Sequence, residues 1–168
     1  MLPNVNNILY CTDLSKNAAY AFQYAVYLAK TTGAQVHILK VVEQLTSDER
    51  LTLQSYILNQ SGSEEFLQKR LDHAYQHLDQ QLTNFWQTCT PEEQRLREHI
   101  VGYEVVEGNA NQTILERANA LECDLIVMGA HEKGWIETLL GSVAKSVLRD
   151  SRIPVLIVPR PEDPTAED

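Results

Sequence analysis

Residues 123–142, CDLIVMGAHEKGWIETLLGS, constrain this chain more than any other stretch. Leu125 to Met128 is a continuous apolar run, short and flanked by turn residues, which predicts a strand buried on both faces of a parallel sheet. The run stops at Gly129. A loop containing Gly129 and Gly134 then leads to Gly141 and Ser142. Leu139, Leu140, Val143, Val147 and Leu148 recur there at helical spacing and predict a helix. In the order strand, glycine loop, helix, backbone N–H groups of the loop and the helix start can surround an anion, usually a phosphate. The same glycines also suit a tight strand-to-helix turn that binds nothing, and spacing alone does not choose between the two.

The rest of the chain repeats that alternation. Ile8 to Tyr10 predicts a first strand, ending at Cys11-Thr12-Asp13, and Asp13 to Ser15 supply helix-capping side chains. Ala18, Ala21, Phe22, Ala25, Leu28 and Ala29 then lie on one helical face, with Gly33 where a helix should stop. Val36 to Val42 predicts strand two. Residues 43–62 are polar and too many for an idle connection, so an extra helical turn is expected around Asp48 to Leu58. From about Ser63 the stripe Leu67, Leu71, Ala74, Leu78, Leu82, Phe85 predicts the longest helix. Thr90-Pro91 is a cap followed by a first-turn proline. Ile100 to Val106 predicts strand three, and Ile114, Leu115, Ala118 and Leu121 the inward face of the next helix. Ile153 to Val158 predicts a last strand, and Pro154 and Pro159 place it at an edge. Strands alternating with helices imply a parallel sheet covered on both faces, with ligands beyond the carboxyl ends of the strands. The loops after strands one and four open on that edge, and form one site if those strands are neighbours.

Length bounds the chain to one domain over residues 1–160, since 168 residues suffice to bury a substantial core. Residues 161–168, acidic and proline-containing, are expected to be a disordered tail. The formal net charge of −9 argues against a nucleic-acid partner, which normally meets a basic face. Cys11, Cys89 and Cys123 match no zinc or redox spacing. Neither a signal segment nor an apolar run of about 18 residues is present, so the expected location is the cytoplasm, with no membrane partner. His73 and His77 sit one turn apart beside Asp72, Gln76 and Asp79, which reads as a wet helix face and not a metal site.

Together, Ile8 to Ser15, Val41-Val42, Glu107-Gly108, Asp124 to Gly129, Gly141 to Ala144 and Ile153 to Val158 resemble the universal stress protein family, in the right order across residues 7–159. The resemblance implies an α/β three-layer sandwich, Rossmann-like and similar to the adenine nucleotide alpha hydrolase fold, with a five-stranded parallel sheet in the order 3-2-1-4-5. It implies a homodimer paired through Pro154 to Val158 and an adenine nucleotide, ATP or AMP, at the switch point, with magnesium accompanying ATP. Carried over by position, Thr12 and Asp13 would lie by the adenine and ribose, and Val41 would contact the base through its backbone. Met128, Gly129 and His131 would line the ribose and phosphate side, while Gly141, Ser142 and Val143 would hold phosphates. The chain departs from the family's glycine pattern at one place: Glu132 stands where a second glycine is usual, and Gly141 arrives one residue early. A glutamate about 8 Å from a phosphate costs on the order of 2 kcal/mol per unit of phosphate charge at an effective dielectric near 20. Lys133 and Gly134 offer partial compensation. The alternative reading is therefore an interaction protein of the same fold with a degenerate phosphate loop.

Enzymatic readings find little support in the residues. Asn17 stands six residues after Cys11, where cysteine phosphatases place an arginine, and nothing basic nearby in sequence would activate that thiol. The Gly129 loop lacks the Gly-Lys-Ser or Gly-Lys-Thr ending of a P-loop, and neither a G-x-S-x-G elbow nor an H-E-x-x-H helix occurs. No residue is assigned a catalytic or metal-ligating role. Slow ATP hydrolysis or self-phosphorylation at Ser142 would need a magnesium site for which Asp13 is the one carboxylate in view. Trp135 is expected to anchor the helix after the glycine loop.

Overall fold

In the computed structural model, which describes residues 1–57, 60–130 and 140–161, eleven elements follow one another. They are β1 (Asn7–Cys11), α1 (Lys16–Thr32), β2 (Gln35–Glu43), α2 (Ser47–Tyr56), α3 (Gln60–Thr88), a 3-10 helix (Glu93–His99), β3 (Ile100–Gly108), α4 (Ala110–Ala120), β4 (Leu125–Gly129), α5 (Ser142–Asp150) and β5 (Val155–Val158). The strands form one parallel sheet in the order β3-β2-β1-β4-β5. This is the order implied by the resemblance. Strands one and four are neighbours, with Cys11 opposite Met128 and Tyr10 opposite Val127.

Because side chains alternate along a strand, the sheet supplies two cores. Ile8, Tyr10, Val36 and Ile38 face α1 and α3, where they pack with Phe22, Leu78 and Trp86. Leu9, Cys11, Leu39, Val41, Ile126 and Met128 face α4 and α5, against Ile114, Ala118, Ala144 and Val147. The result is three layers, helices on both faces of the sheet.

Local chemistry accounts for most element ends. Ser15 caps α1 by accepting the Ala18 N–H at 3.1 Å, and Gly33 ends it in the left-handed conformation (φ 78°) that favours glycine. The first three strands run one or two residues beyond the expected ranges, and four other elements differ from the sequence expectation. The helix expected around Asp48–Leu58 is Ser47–Tyr56, started by a reciprocal Thr46–Glu49 capping box; Leu58 lies outside the described residues. The long helix begins at Gln60. The last helix begins at Ser142, leaving Leu140 ahead of it, and Leu148 points outward at 41% exposure because Ala144 and Val147 form the buried face. Strand five starts at Val155, since Pro154 has no N–H for a ladder; its carbonyl instead accepts the Ile126 N–H at 2.9 Å. β5 is an edge strand, as its flanking prolines suggest.

Candidate functional site

The loop leaving β1 is held by its own side chains. The Thr12 N–H extends the ladder to the Leu39 carbonyl (3.0 Å), and its buried hydroxyl accepts the Leu14 N–H (3.0 Å). Asp13 Oδ1 accepts the Ser15 N–H at 2.9 Å. Short polar side chains substitute here for backbone partners that a turning chain cannot reach. Leu14 sits at φ 66°, a conformation costing about 1–2 kcal/mol for a non-glycine residue. From α3, Gln81 Nε2 donates to the Leu14 carbonyl at 2.7 Å and secures the turn.

β4 ends beside this loop. A Cβ on Gly129 would lie 2.8 Å from the Asn17 carbonyl carbon and oxygen and 2.9 Å from the Ala18 nitrogen, so the strand meets the first turn of α1 backbone to backbone. Asn17 Nδ2 ties the next residue in place by donating to the Ala130 carbonyl at 2.8 Å. Close packing thus explains the glycine at 129. At the far side Gly141 is the N-cap of α5 and has no side-chain hydrogen bond to the helix. Its first-turn N–H groups and the positive end of the helix dipole suit an anion.

These pieces surround one cavity of about 280 Å³. Thr12 and Asp13 line it from the loop after β1, Val41 from β2, and Met128 and Gly129 from β4. Gly141, Ser142 and Val143 line it from the start of α5. The fold therefore brings together eight of the nine residues carried over by position; His131 lies outside the described residues, as do Glu132, Lys133, Gly134 and Trp135.

Lining residues absent from the sequence reading of the site include Ala18 of α1, Ala144 of α5 and several from β2 and α4. Ala110 and Ile114 add an apolar wall, and Lys40 and Glu43 add charge. Burial pushes the Lys40 ammonium below its usual range, opposed by the nearby Asp13 and Glu43 carboxylates. Arg70 of α3 donates from Nη2 to the Glu43 carbonyl at 3.0 Å, fixing the end of β2. The period-two pattern reads Lys40 only as one more strand residue beside Ile38, and strand order is what brings it to the cavity.

The Cys11 thiol also lines the cavity but is buried, and desolvation drives its pKa far above the ordinary thiol value. Cys123 is pushed up to about 11, again chiefly by burial. Both are protonated at neutral pH, which fits core thiols and not nucleophiles. His73 and His77 are exposed, and no cluster of three or more His, Cys, Asp or Glu side chains able to hold a metal occurs among the described residues. No helix among them is long and apolar enough to cross a membrane.

A parallel sheet wound in both directions from β1 and β4, with a ligand-sized cavity at that switch point, defines a Rossmann-like α/β protein. Within that class the model of the universal stress protein family matches residues 4–159, and the chain belongs to this family. Universal stress protein MJ0577 of Methanocaldococcus jannaschii is 29% identical over 91% of this chain and 94% of its own. Universal stress protein G of Shigella flexneri is 30% identical over 82% of this chain and 86% of its own. Among solved structures, the universal stress protein UspA of Lactobacillus plantarum superposes with a TM-score of 0.70 at 23% identity, over 94% of this chain and 99% of that one.

Proposed function

We propose that this protein is a nucleotide-responsive stress protein: a single domain over residues 1–160, cytoplasmic and dimeric, that binds an adenine nucleotide, ATP or AMP, without being a metabolic enzyme. The observation that carries this reading is the convergence of the β1 loop, the β4 end and the uncapped α5 N-terminus on one cavity at the switch point. The apolar wall of Val41, Ile114 and Met128 suits a base, Asp13 a sugar hydroxyl, and the α5 N-terminus with Ser142 a phosphate. A universal stress protein of the same fold, with a TM-score of 0.58 and 20% identity, was crystallised in complex with cAMP. Magnesium would accompany ATP as part of the ligand.

Calorimetric titration with ATP and AMP tests the reading, on protein first shown to carry no retained nucleotide. Binding at or below tens of micromolar supports it. Glu132 favours a second reading, an interaction protein with a vestigial pocket, and the Glu132→Gly variant separates the two. If neither wild type nor Glu132→Gly binds at millimolar nucleotide, the pocket is not a nucleotide site and the interaction reading stands.

A further inference from the structure

A second cavity, of about 150 Å³, lies on the α4 side of the sheet at the other end of that helix. Ala110 and Ile114 of α4 line the first cavity, while Arg117 and Leu121 line the second. Leu39 stands between the two and lines both. The opening comes from the edge strand. Register shifts between Val36 and His37, which pair with Ile100 and Gly102, so Val101 is an extra residue in β3 and Gly102 lies opposite His37. A Cβ built on Gly102 would meet nothing within 4 Å. Where a neighbouring strand normally sets a side chain beside the imidazole, there is space.

Polar groups around that space are incompletely paired. Arg117 Nη2 donates to Glu104 Oε1, yet Arg117 Nε is buried without an acceptor. Among the described residues no donor is assigned to Glu104 Oε2, and neither ring nitrogen of His37 has a hydrogen-bond partner. We propose that this cavity binds a small α-amino acid in its zwitterionic form, with its carboxylate on Arg117 Nε, its ammonium on Glu104 and its apolar side chain against Leu9, Leu39 and Leu121. The inference does not depend on the nucleotide reading above.

Charge and size select that class of ligand. A buried guanidinium N–H without an acceptor is costly, so the ligand must bring an acceptor, and the open Glu104 oxygen calls for a donor. Burial holds the His37 imidazole below its ordinary pKa, a shift that Glu104 opposes and Arg117 reinforces, so the ring is neutral at pH 7. Arg117 and Glu104 then leave the cavity with no net charge. A simple anion is repelled by Glu104 and a simple cation by Arg117, whereas a zwitterion meets an opposite charge at each end. The neutral imidazole, one nitrogen a donor and the other an acceptor, can add a bond to either end. An apolar cavity of about this volume holds benzene, so the space suits roughly six to eight non-hydrogen atoms, the range from alanine to valine.

The test is proton–nitrogen NMR of the full chain, titrated with L-valine, with isovalerate, which lacks the ammonium, and with isobutylamine, which lacks the carboxylate. Valine is expected to bind at about 1 mM and to shift the Arg117 Nε–H and the amides of Gly102 and Leu121, with each analogue about tenfold weaker or more. Gly102→Val fills the cavity from a position where its Cβ meets no neighbour, and should abolish valine binding while thermal melts show an intact fold. Glu104→Gln should weaken valine several-fold and strengthen isovalerate, a reversal that a merely structural role would not produce. Absence of shifts at tens of millimolar valine overturns the proposal. Equal binding of valine and isovalerate to wild type overturns it as well, as does valine binding that survives Gly102→Val.

Discussion

At Gly129 a single added methyl group would press on backbone atoms of Asn17 and Ala18 at 2.8–2.9 Å, distances that real Cβ contacts do not reach. Backbone cannot swing aside as the end of a flexible side chain can, so Gly129→Ala must push β4 away from the first turn of α1. That shift would also strain the Asn17–Ala130 hydrogen bond and misplace the cavity wall. We expect a loss of about 1–3 kcal/mol of stability, the usual cost of overpacking, read as a lower urea midpoint with unchanged slope. An unchanged midpoint would mean that strand and helix are not in such close contact. The glycine that opens the phosphate-type loop in sequence is thus required by packing, whether or not a phosphate binds nearby. Spacing left an anion cradle and a tight turn equal, and the Cβ distances give Gly129 a packing reason that is compatible with either.

Elements differ in how much of them the sequence carries. Ser15, Gly33 and the edge prolines are legible because capping and ladder chemistry act within a few residues. Three features depend on partners distant in sequence. The irregularity that shifts register between Val36 and His37 against β3 has no local signature; Trp86 becomes core only because α3 packs beside Phe22; and Lys40 becomes a site residue only because β2 lies next to β1. α2 is a contrasting element: none of its residues is buried, so its helicity rests on local terms, above all the capping box of Thr46 and Glu49. Thr46 accepts the Glu49 N–H at 3.2 Å, and Glu49 accepts the Thr46 N–H at 2.7 Å, which holds the Glu49 carboxyl below its usual pKa. A depressed carboxylate pKa stabilises the box above the ordinary carboxylate range and loses that contribution as pH falls through the folded value. Thr46→Ala should cost about 1 kcal/mol of local helix stability. Hydrogen exchange should therefore quicken several-fold within Ser47–Tyr56, while the global unfolding midpoint stays put because no core contact is lost. A lowered global midpoint would show that α2 is coupled to the core after all.

On the scale of the whole molecule, the two sheet edges are unlike. β3 carries Glu104 and Glu107, charges of the kind that discourage edge-to-edge pairing. β5 reads Val-Leu-Ile-Val, with Val155, Leu156 and Ile157 only half-buried and no charge along it. An uncharged apolar edge offers a second copy both ladder groups and side chains, and identical patches meeting across a two-fold axis make a closed dimer. The ladder assigns directions to the backbone groups: the Pro154 and Val158 carbonyls accept from Ile126 and Ala130 of the β4 side. Because bonding direction alternates along a strand, the N–H groups of Val155 and Ile157 point to the open edge. Ile157→Pro therefore removes a donor from the proposed interface while sparing the β4 ladder. Size-exclusion chromatography with light scattering should find wild type at twice the monomer mass and Ile157→Pro at the monomer mass, with circular dichroism showing that the variant keeps its helices. A variant that remains dimeric would place the interface elsewhere. A wild type that is monomeric at high micromolar concentration would remove the dimer from the proposed function and leave the cavity, built from one chain's own loops, to act alone.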